Sequence, residues 1–145
     1  MDEILYAGCL IQLTCPPPLV VPALAAPVPL DGSAQTMSYL AAPFCLEGDE
    51  LPRCLREPLE YTAGAFVIPG LGRLSLVLGD AHWSSTATFE RRRFLRCGPP
   101  FQVRFEVVAP AMQPSAAGPV PDPVSVRVLA GRYVPRAPGA IRGIA

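Results

Sequence analysis

The sequence predicts a mostly β protein: a small β-sandwich or barrel-like domain with proline-rich extended arms. Residues 101–108 carry the clearest signal, because Phe101, Val103 and Phe105 alternate with polar residues at the period of two that a half-buried strand needs. The chain holds 19 prolines and 12 glycines in 145 residues, well above the combined usage of roughly 12% in average proteins. Proline breaks helix interiors, so this composition favours short strands, turns and extended segments.

The N-terminal part is predicted to hold two strands separated by an extended segment. Residues 3–15 form an apolar run that ends at three prolines, and alternate residues share one face: Cys9, Ile11, Leu13 and Cys15. Residues 19–30 contain further prolines and indicate polyproline-like or edge-strand backbone. Residues 35–44 are predicted as a strand with Met37, Tyr39 and Ala41 on one face.

The middle and C-terminal parts are predicted to hold one short helix and further strands. The helix would lie within residues 51–56. Residues 61–80 are interpreted as two strands around a turn at Pro69 and Gly70. Residues 124–129 form a last predicted strand, which we expect to pair antiparallel with residues 101–108.

Proline content also suggests how the chain is organised. We expect a β-rich core with an extended N-terminal segment over residues 1–108. A proline-rich linker follows over residues 109–123, because this stretch is too rich in proline to fold alone. Residues 124–145 are predicted as a C-terminal strand and arm.

Charge and hydropathy exclude several classes of partner. The formal net charge is zero, with 12 basic and 12 acidic residues, so attraction to nucleic acid is not expected. The apolar stretch 16–30 contains six prolines and is shorter than the ~20 residues of a membrane-spanning helix. The N-terminus carries Asp2 and Glu3 and does not resemble a signal peptide. We therefore expect synthesis in the cytoplasm, no membrane partner, and later incorporation into a larger particle.

No catalytic, cofactor or metal site is predicted. Asp80, His82 and Ser84 lie within five residues, but triad members normally come from separate elements, so a turn histidine packed beside Trp83 is the favoured interpretation. The five cysteines include no C-x-x-C pair and the chain has one histidine. We expect free, structural thiols, with a zinc site or a disulfide such as Cys45 to Cys54 as alternatives.

The densest positive charge lies just before the strand at 101–108. We name Arg91, Arg92, Arg93 and Arg96 the arginine cluster. We expect this cluster to form an interface with another subunit, together with Phe101, Val103 and Phe105, because guanidinium groups bind carboxylates in a two-point fork. The acidic stretch 47–60 of a neighbouring copy is a candidate partner. A solvated face and contact with nucleic acid are the alternatives.

The first half of the chain resembles a known family. The stretch GCLIQLTCPPPLVVPALAAPVPLDG at residues 8–32, followed by FC at 44–45, is similar in order to the PAAR-like proteins at the tips of contractile injection systems and phage-type tails. That family opens with a short strand carrying a cysteine, then a segment of proline and leucine, a turn and a further cysteine. Pro16 replaces the family's glycine, and the histidine cluster of its metal-binding members is absent, so no ligand is carried over.

These observations favour a non-enzymatic structural subunit of a large particle, either a contractile injection system or a phage tail or spike. Its predicted mechanism is strand and arm docking onto other subunits of the particle, with self-association as an alternative. A phage capsid decoration or head–tail protein is a second reading. A free-standing β-sandwich binding module is a third, and it would use Trp83, Tyr61 and Tyr133 to stack on a ligand.

Overall fold

A computed structural model describes residues 4–34, 38–39, 42–89 and 91–135, with the backbone alone at 38–39 and 85–89. The strands of this part of the chain are β1 (Leu10–Thr14), β2 (Leu19–Val20), β3 (Val28–Pro29), β4 (Ser38–Tyr39), β5 (Ala42–Pro43), β6 (Leu59–Ala63), β7 (Phe66–Val77), β8 (Trp83–Phe89), β9 (Arg92–Leu95), β10 (Phe101–Ala109), β11 (Met112–Gln113), β12 (Val120–Pro121) and β13 (Val126–Val134). Three single turns of 3-10 helix accompany them: Pro22–Leu24, Arg53–Leu55 and Asp80–His82. The prediction of a mostly β fold is confirmed, and the short helix predicted within 51–56 is a 3-10 turn.

One sheet dominates the structure and curls back on itself. Its strands follow the order β12-β11-β7-β10-β13-β1-β3, and β6 pairs with β7 and with β2. Residues 15–18 connect β1 directly to β2, which pairs with β6. The sheet therefore curls into a half-barrel, which confirms the predicted barrel-like shape. Two separate hairpins, β4-β5 and β8-β9, complete the described strands.

Strand β13 lies in the middle of the sheet. It pairs antiparallel with β10, as predicted for residues 101–108 and 124–129, with Val103 opposite Leu129. The strand begins at Val126 and continues to Val134. Its other edge pairs with β1 along all five residues of that strand. The boundaries predicted at 108 and 123 stay a prediction.

Strand β7 corrects one expectation. A single strand runs through Pro69 and Gly70, where the sequence predicted a turn. The turn lies earlier, at Gly64, whose φ is 58°. Pro69 falls where the β6–β7 register shifts, a position at which a strand tolerates a residue without an N–H. Gly70 and Gly72 allow close packing rather than a turn, since a Cβ at Gly72 would collide with the Phe105 ring.

Aromatic rings fill the interior of the curled sheet. Tyr61 and Phe105 meet edge to face with 5.3 Å between ring centroids, and Phe101 lies 5.0 Å from Tyr133. Such pairs add stabilisation beyond the area they bury. Cys9, Ile11 and Leu13 of the N-terminal run are also buried and Cys15 is half-buried, as their alternation predicted.

The stretch 109–123 is fixed to the core by a buried carboxylate. Asp122 accepts hydrogen bonds from Tyr61 Oη at 3.1 Å and from the Val124 N–H at 3.0 Å. Its Oδ2 lies 3.1 Å from an Arg127 nitrogen, with the two side chains 0% and 14% exposed. Tyr61 Oη also accepts the Ala111 N–H at 3.0 Å. This buried network is what anchors a segment that has little apolar content of its own.

Residues 38–39 and 42–43 form a two-stranded hairpin. The shared face predicted for Met37, Tyr39 and Ala41 stays a prediction. Met37 and Ala41 lie outside the described residues, and Tyr39 is described by its backbone alone. The C-terminal arm predicted beyond Pro135 also lies outside them.

Candidate docking surfaces

The arginine cluster begins at the turn of the β8–β9 hairpin. Arg91 is exposed and has φ 63°, a left-handed value that suits a tight turn. Arg92 donates to the Glu47 carbonyl oxygen at 2.9 Å and to Ser33 Oγ at 2.9 Å. Arg93 donates to Glu47 Oε1 through its backbone N–H at 2.7 Å and through Nε at 3.2 Å. Two of the four arginines therefore meet the acidic stretch within their own chain.

Glu47 is held in its charged form by these contacts. The hydrogen bonds from the side chain and then the backbone of Arg93 lower the pKa of its carboxyl group. The Arg93 guanidinium also lies 5.2 Å from the centroid of the Trp83 ring, a cation–π contact. An interface role for the arginine cluster stays a prediction, and Arg91 is its most exposed member.

The loop that receives these arginines is itself ordered by Asp49. This carboxylate is 6% exposed and accepts hydrogen bonds from Ser33 N at 3.0 Å and Ser33 Oγ at 2.5 Å. It also accepts the Leu46 N–H at 2.8 Å. Part of the predicted acidic surface is therefore an internal support for the loop.

The strand expected to join the cluster at an interface turns one face inward. Phe101, Val103 and Phe105 are 6%, 0% and 0% exposed and belong to the core. Gln102, Arg104 and Glu106 lie on the opposite, exposed face. If β10 contacts another subunit, residues on this exposed face make the contact.

His82 has a structural position. Its Nδ1 accepts the Gly79 N–H at 3.1 Å and its Nε2 lies 2.7 Å from the Pro99 carbonyl oxygen, which fits the neutral Nε2–H tautomer. Ser84 Oγ accepts the Phe94 N–H at 3.0 Å. The histidine lies in a turn, as predicted, although its ring contacts Phe101 and Tyr133 edge to face.

The tyrosines considered for ligand stacking are core residues. Tyr61 and Tyr133 are 0% and 4% exposed, and Tyr133 Oη donates to the Glu50 carbonyl oxygen at 2.7 Å. Burial raises the pKa of both hydroxyls. Trp83 is half-buried beneath Arg93. The stacking hypothesis for the two tyrosines is wrong.

None of the five cysteines is joined to another by a disulfide. Cys54 is exposed, whereas Cys45 is buried and donates to the Asp31 carbonyl oxygen at 3.6 Å. Burial raises the pKa of the Cys45 thiol, so it stays neutral. Within the described ranges, His, Cys, Asp and Glu side chains form no group of three or more that could hold a metal ion.

One end of the sheet exposes aliphatic side chains. Val67 and Ile68 of β7 are 58% and 42% exposed, Val20 of β2 is 54% exposed and Val120 of β12 is 44% exposed. These strands are neighbours in the order β2-β6-β7-β11-β12, and Ile68 lies opposite Met112. We call these four residues the apolar end.

A groove crosses the exposed face of β13. Its floor is Ala130, flanked by Thr14 of β1 and Gln102 of β10, and Val128 lies at one end. Pro16, Pro17 and Pro100 form its walls, and its volume is about 560 Å³. A small side chain between longer neighbours leaves this depression. We call it the outer groove.

A comparison over nearly the whole chain identifies the family of the protein. The family model for the contractile injection system spike tip protein matches residues 1–142. The chain belongs to this family. No curated protein matches the sequence. The resemblance drawn from residues 8–45 therefore indicated the correct particle and the correct part of it.

As a spike tip protein, the chain is a structural component of a contractile injection system and associates with other subunits of that particle. The family match favours this particle over a phage capsid and over a free-standing binding module. No helix among the described residues is long and apolar enough to span a membrane.

Sequence reasoning missed both the apolar end and the outer groove. The pair Val67 and Ile68 directly after a Gly64 turn was a usable signal, since apolar residues at a hairpin tip lie away from the core. The groove depends on Ala130 meeting Thr14 and Gln102 from distant parts of the chain. No local pattern could have revealed that meeting.

Proposed function

We propose that this spike tip protein is a non-enzymatic cap, docked on the end of the spike through the apolar end. The observation that carries the proposal is the exposure of four aliphatic side chains on neighbouring strands. Water contact at such a patch is unfavourable, and larger exposed apolar patches mark interaction sites. A spike subunit covering this surface would remove that cost.

The strand edges support docking by side chains more than docking by strand addition. The two outermost strands of the sheet path, β12 and β3, each contain a proline, at Pro121 and Pro29. Proline removes a backbone donor and discourages pairing at an exposed edge. The predicted docking of the proline-rich extended arms remains part of the proposal.

A double substitution tests the proposal. Val67→Glu with Ile68→Glu places two carboxylates in the proposed contact, where burying a charge without a partner is costly. We expect the ratio of tip to spike protein in purified particles, measured by quantitative mass spectrometry, to fall roughly tenfold or more.

Val124→Glu is the matched control, because Val124 is an exposed valine, at 39%, that belongs to neither the apolar end nor the outer groove. Its tip-to-spike ratio should equal that of the wild type. Normal incorporation of the double variant would overturn the proposed docking surface.

A further inference from the structure

The outer groove has an apolar floor between two positive charges. Val128 and Ala130 point outward from β13, and Val128 is 51% exposed. Arg132 lies beyond Ala130 on the same face, and Arg104 lies beside Val128 across the β10–β13 pair. A ligand lying along β13 would therefore meet a cation, a small apolar depression and a second cation in turn.

Neither cation is fully compensated within the described part of the chain. Arg132 donates to the amide oxygen of Gln12 at 3.1 Å and 2.8 Å, contacts that leave its charge unopposed. Arg104 lies 3.8 Å from Glu106, with side chains 51% and 54% exposed. A solvated pair at that separation is weak. The groove therefore has a surplus of positive charge.

The spacing of these groups defines the ligand that fits. Arg132 is four positions after Val128, which corresponds to about 13 Å along a strand. In an extended segment, residues i, i+2 and i+4 lie on one face at the same spacing. Acidic residues at i and i+4 would meet the two arginines, and an aliphatic residue at i+2 would rest on Ala130.

We propose that the outer groove binds an extended segment of the particle's spike subunit in which two acidic residues flank an aliphatic residue at alternate positions. The spike subunit is the occupant because the family's position at the spike tip guarantees that it lies beside this chain. This inference rests on the proposed function, and it adds a second contact that gives specificity through charge.

Photo-cross-linking in assembled particles tests the groove. A benzoylphenylalanine introduced at Gln102, on the groove wall, should form a covalent bond to a spike segment with the acidic–x–aliphatic–x–acidic pattern. Peptide mass spectrometry would identify it. Adding Arg104→Glu with Arg132→Glu should reduce the cross-link yield roughly tenfold, since two attractive pairs become repulsive.

Arg53→Glu is the matched control, because Arg53 is an exposed arginine that lies outside the groove and outside the strands that form it. It should leave the yield unchanged, and circular dichroism should show the same β spectrum for every variant. Cross-linking to a second copy, to a cargo protein or to nothing would overturn the inference. So would a spike cross-link that ignores the double charge reversal.

The two proposals fail in different ways. If the wild-type tip is present in particles and the groove does not contact the spike, the proposed function stands and the groove inference falls. If the wild-type chain is absent from purified particles, both fall.

Discussion

Two glycines decide where aromatic rings lie in the core. Gly72 faces the Phe105 ring, and Gly131 faces Phe101 and Leu13. A strand glycine loses side-chain packing of its own, but it lets another side chain approach the backbone closely. The Phe105 ring can therefore occupy its position only because residue 72, on the neighbouring strand, has no Cβ.

Gly72→Ala should therefore lower the free energy of unfolding by about 1–3 kcal/mol, the usual cost of forcing extra atoms into a packed core. Urea denaturation gives the measurement. Gly79→Ala is the control, because no atom lies within 4 Å of a Cβ placed there. Combining Gly72→Ala with Phe105→Leu should recover part of the loss. Equal stability of Gly72→Ala and wild type would contradict the account.

Asp122 is the residue whose charge matters most to the fold. Asp122→Asn would leave Arg127 with 14% side-chain exposure and no counter-charge. Removing one partner of a buried pair costs about 3–5 kcal/mol, and the retained amide hydrogen bonds favour the lower end. Glu106→Gln is the matched control, since the exposed pair that it breaks contributes about 1 kcal/mol or less. Similar urea midpoints for the two variants would count against a structural role of the pair.

Acid should weaken the wild-type protein through the same residue. Burial alone would raise the pKa of Asp122, but the hydrogen bonds from Val124, Arg127 and Tyr61 outweigh it, so the pKa lies below its usual value. A depressed pKa gives stability that is present above the unfolded value of about 3.9 and is lost as pH falls through the folded value. Thermal unfolding at pH 7, 5 and 3 should show a steep loss below about pH 4. That loss should be smaller in Asp122→Asn.

At the scale of elements, strands with a strict alternation were predictable and strands with special residues were not. The pattern at 101–108 reflects which face of the strand is buried, and buried and exposed residues of β10 alternate strictly from Phe101 to Glu106. Pro69 and Gly70 read locally as a turn, yet their strand is held by β6, β10 and β11 from outside that stretch. Pairing with these strands kept Pro69 and Gly70 in an extended strand although their residue types favour a turn. The docking surfaces likewise depend on pairings between distant parts of the chain.

Hydrogen exchange can test the central place of β13. Amides of Ala130 and Gly131 lie where β13 is paired with both β1 and β10, so they should exchange slowly, at a rate governed by global unfolding. Amides near Val120, in the outermost strand, should exchange much faster. If 126–134 exchanged as fast as 112–121, the C-terminal segment would be an independent arm, as its position after a proline-rich stretch suggested.

The β8–β9 hairpin offers a clean test of the arginine cluster. Reversing Arg92 and Arg93 would also break their contacts with Glu47, so Arg91→Glu is the better variant. If the cluster faces another subunit, this change should reduce the tip-to-spike ratio in particles at low salt, where surface charge is least screened. Arg53→Glu, at an exposed arginine outside the cluster, should have no effect. A normal ratio for Arg91→Glu would mean that the hairpin turn faces solvent.

At the scale of the whole molecule, large aliphatic side chains reach the surface on several strands. Ten large aliphatic residues are exposed among the described ones, and the apolar end groups four of them. Expressed alone, the chain should oligomerise or aggregate as its concentration rises, because the patch finds no spike to cover it. Light scattering should show this, and Val67→Glu with Ile68→Glu should suppress it. A compact wild-type monomer at high concentration would argue against the patch as a docking site.

The pairing of β1 with β13 also governs when the chain can fold. Residues 10–14 are paired with residues 130–134, so the closing contacts of the sheet join segments synthesised at opposite ends of the described chain. Contacts of such long sequence separation slow folding, because the entropy of closing the loop is lost before the contacts form. A ribosome must release β13 before the sheet can close around Phe105. Chains interrupted before residue 130 would lack this closure and become substrates for proteolysis, so the topology itself would select complete molecules for assembly into the particle.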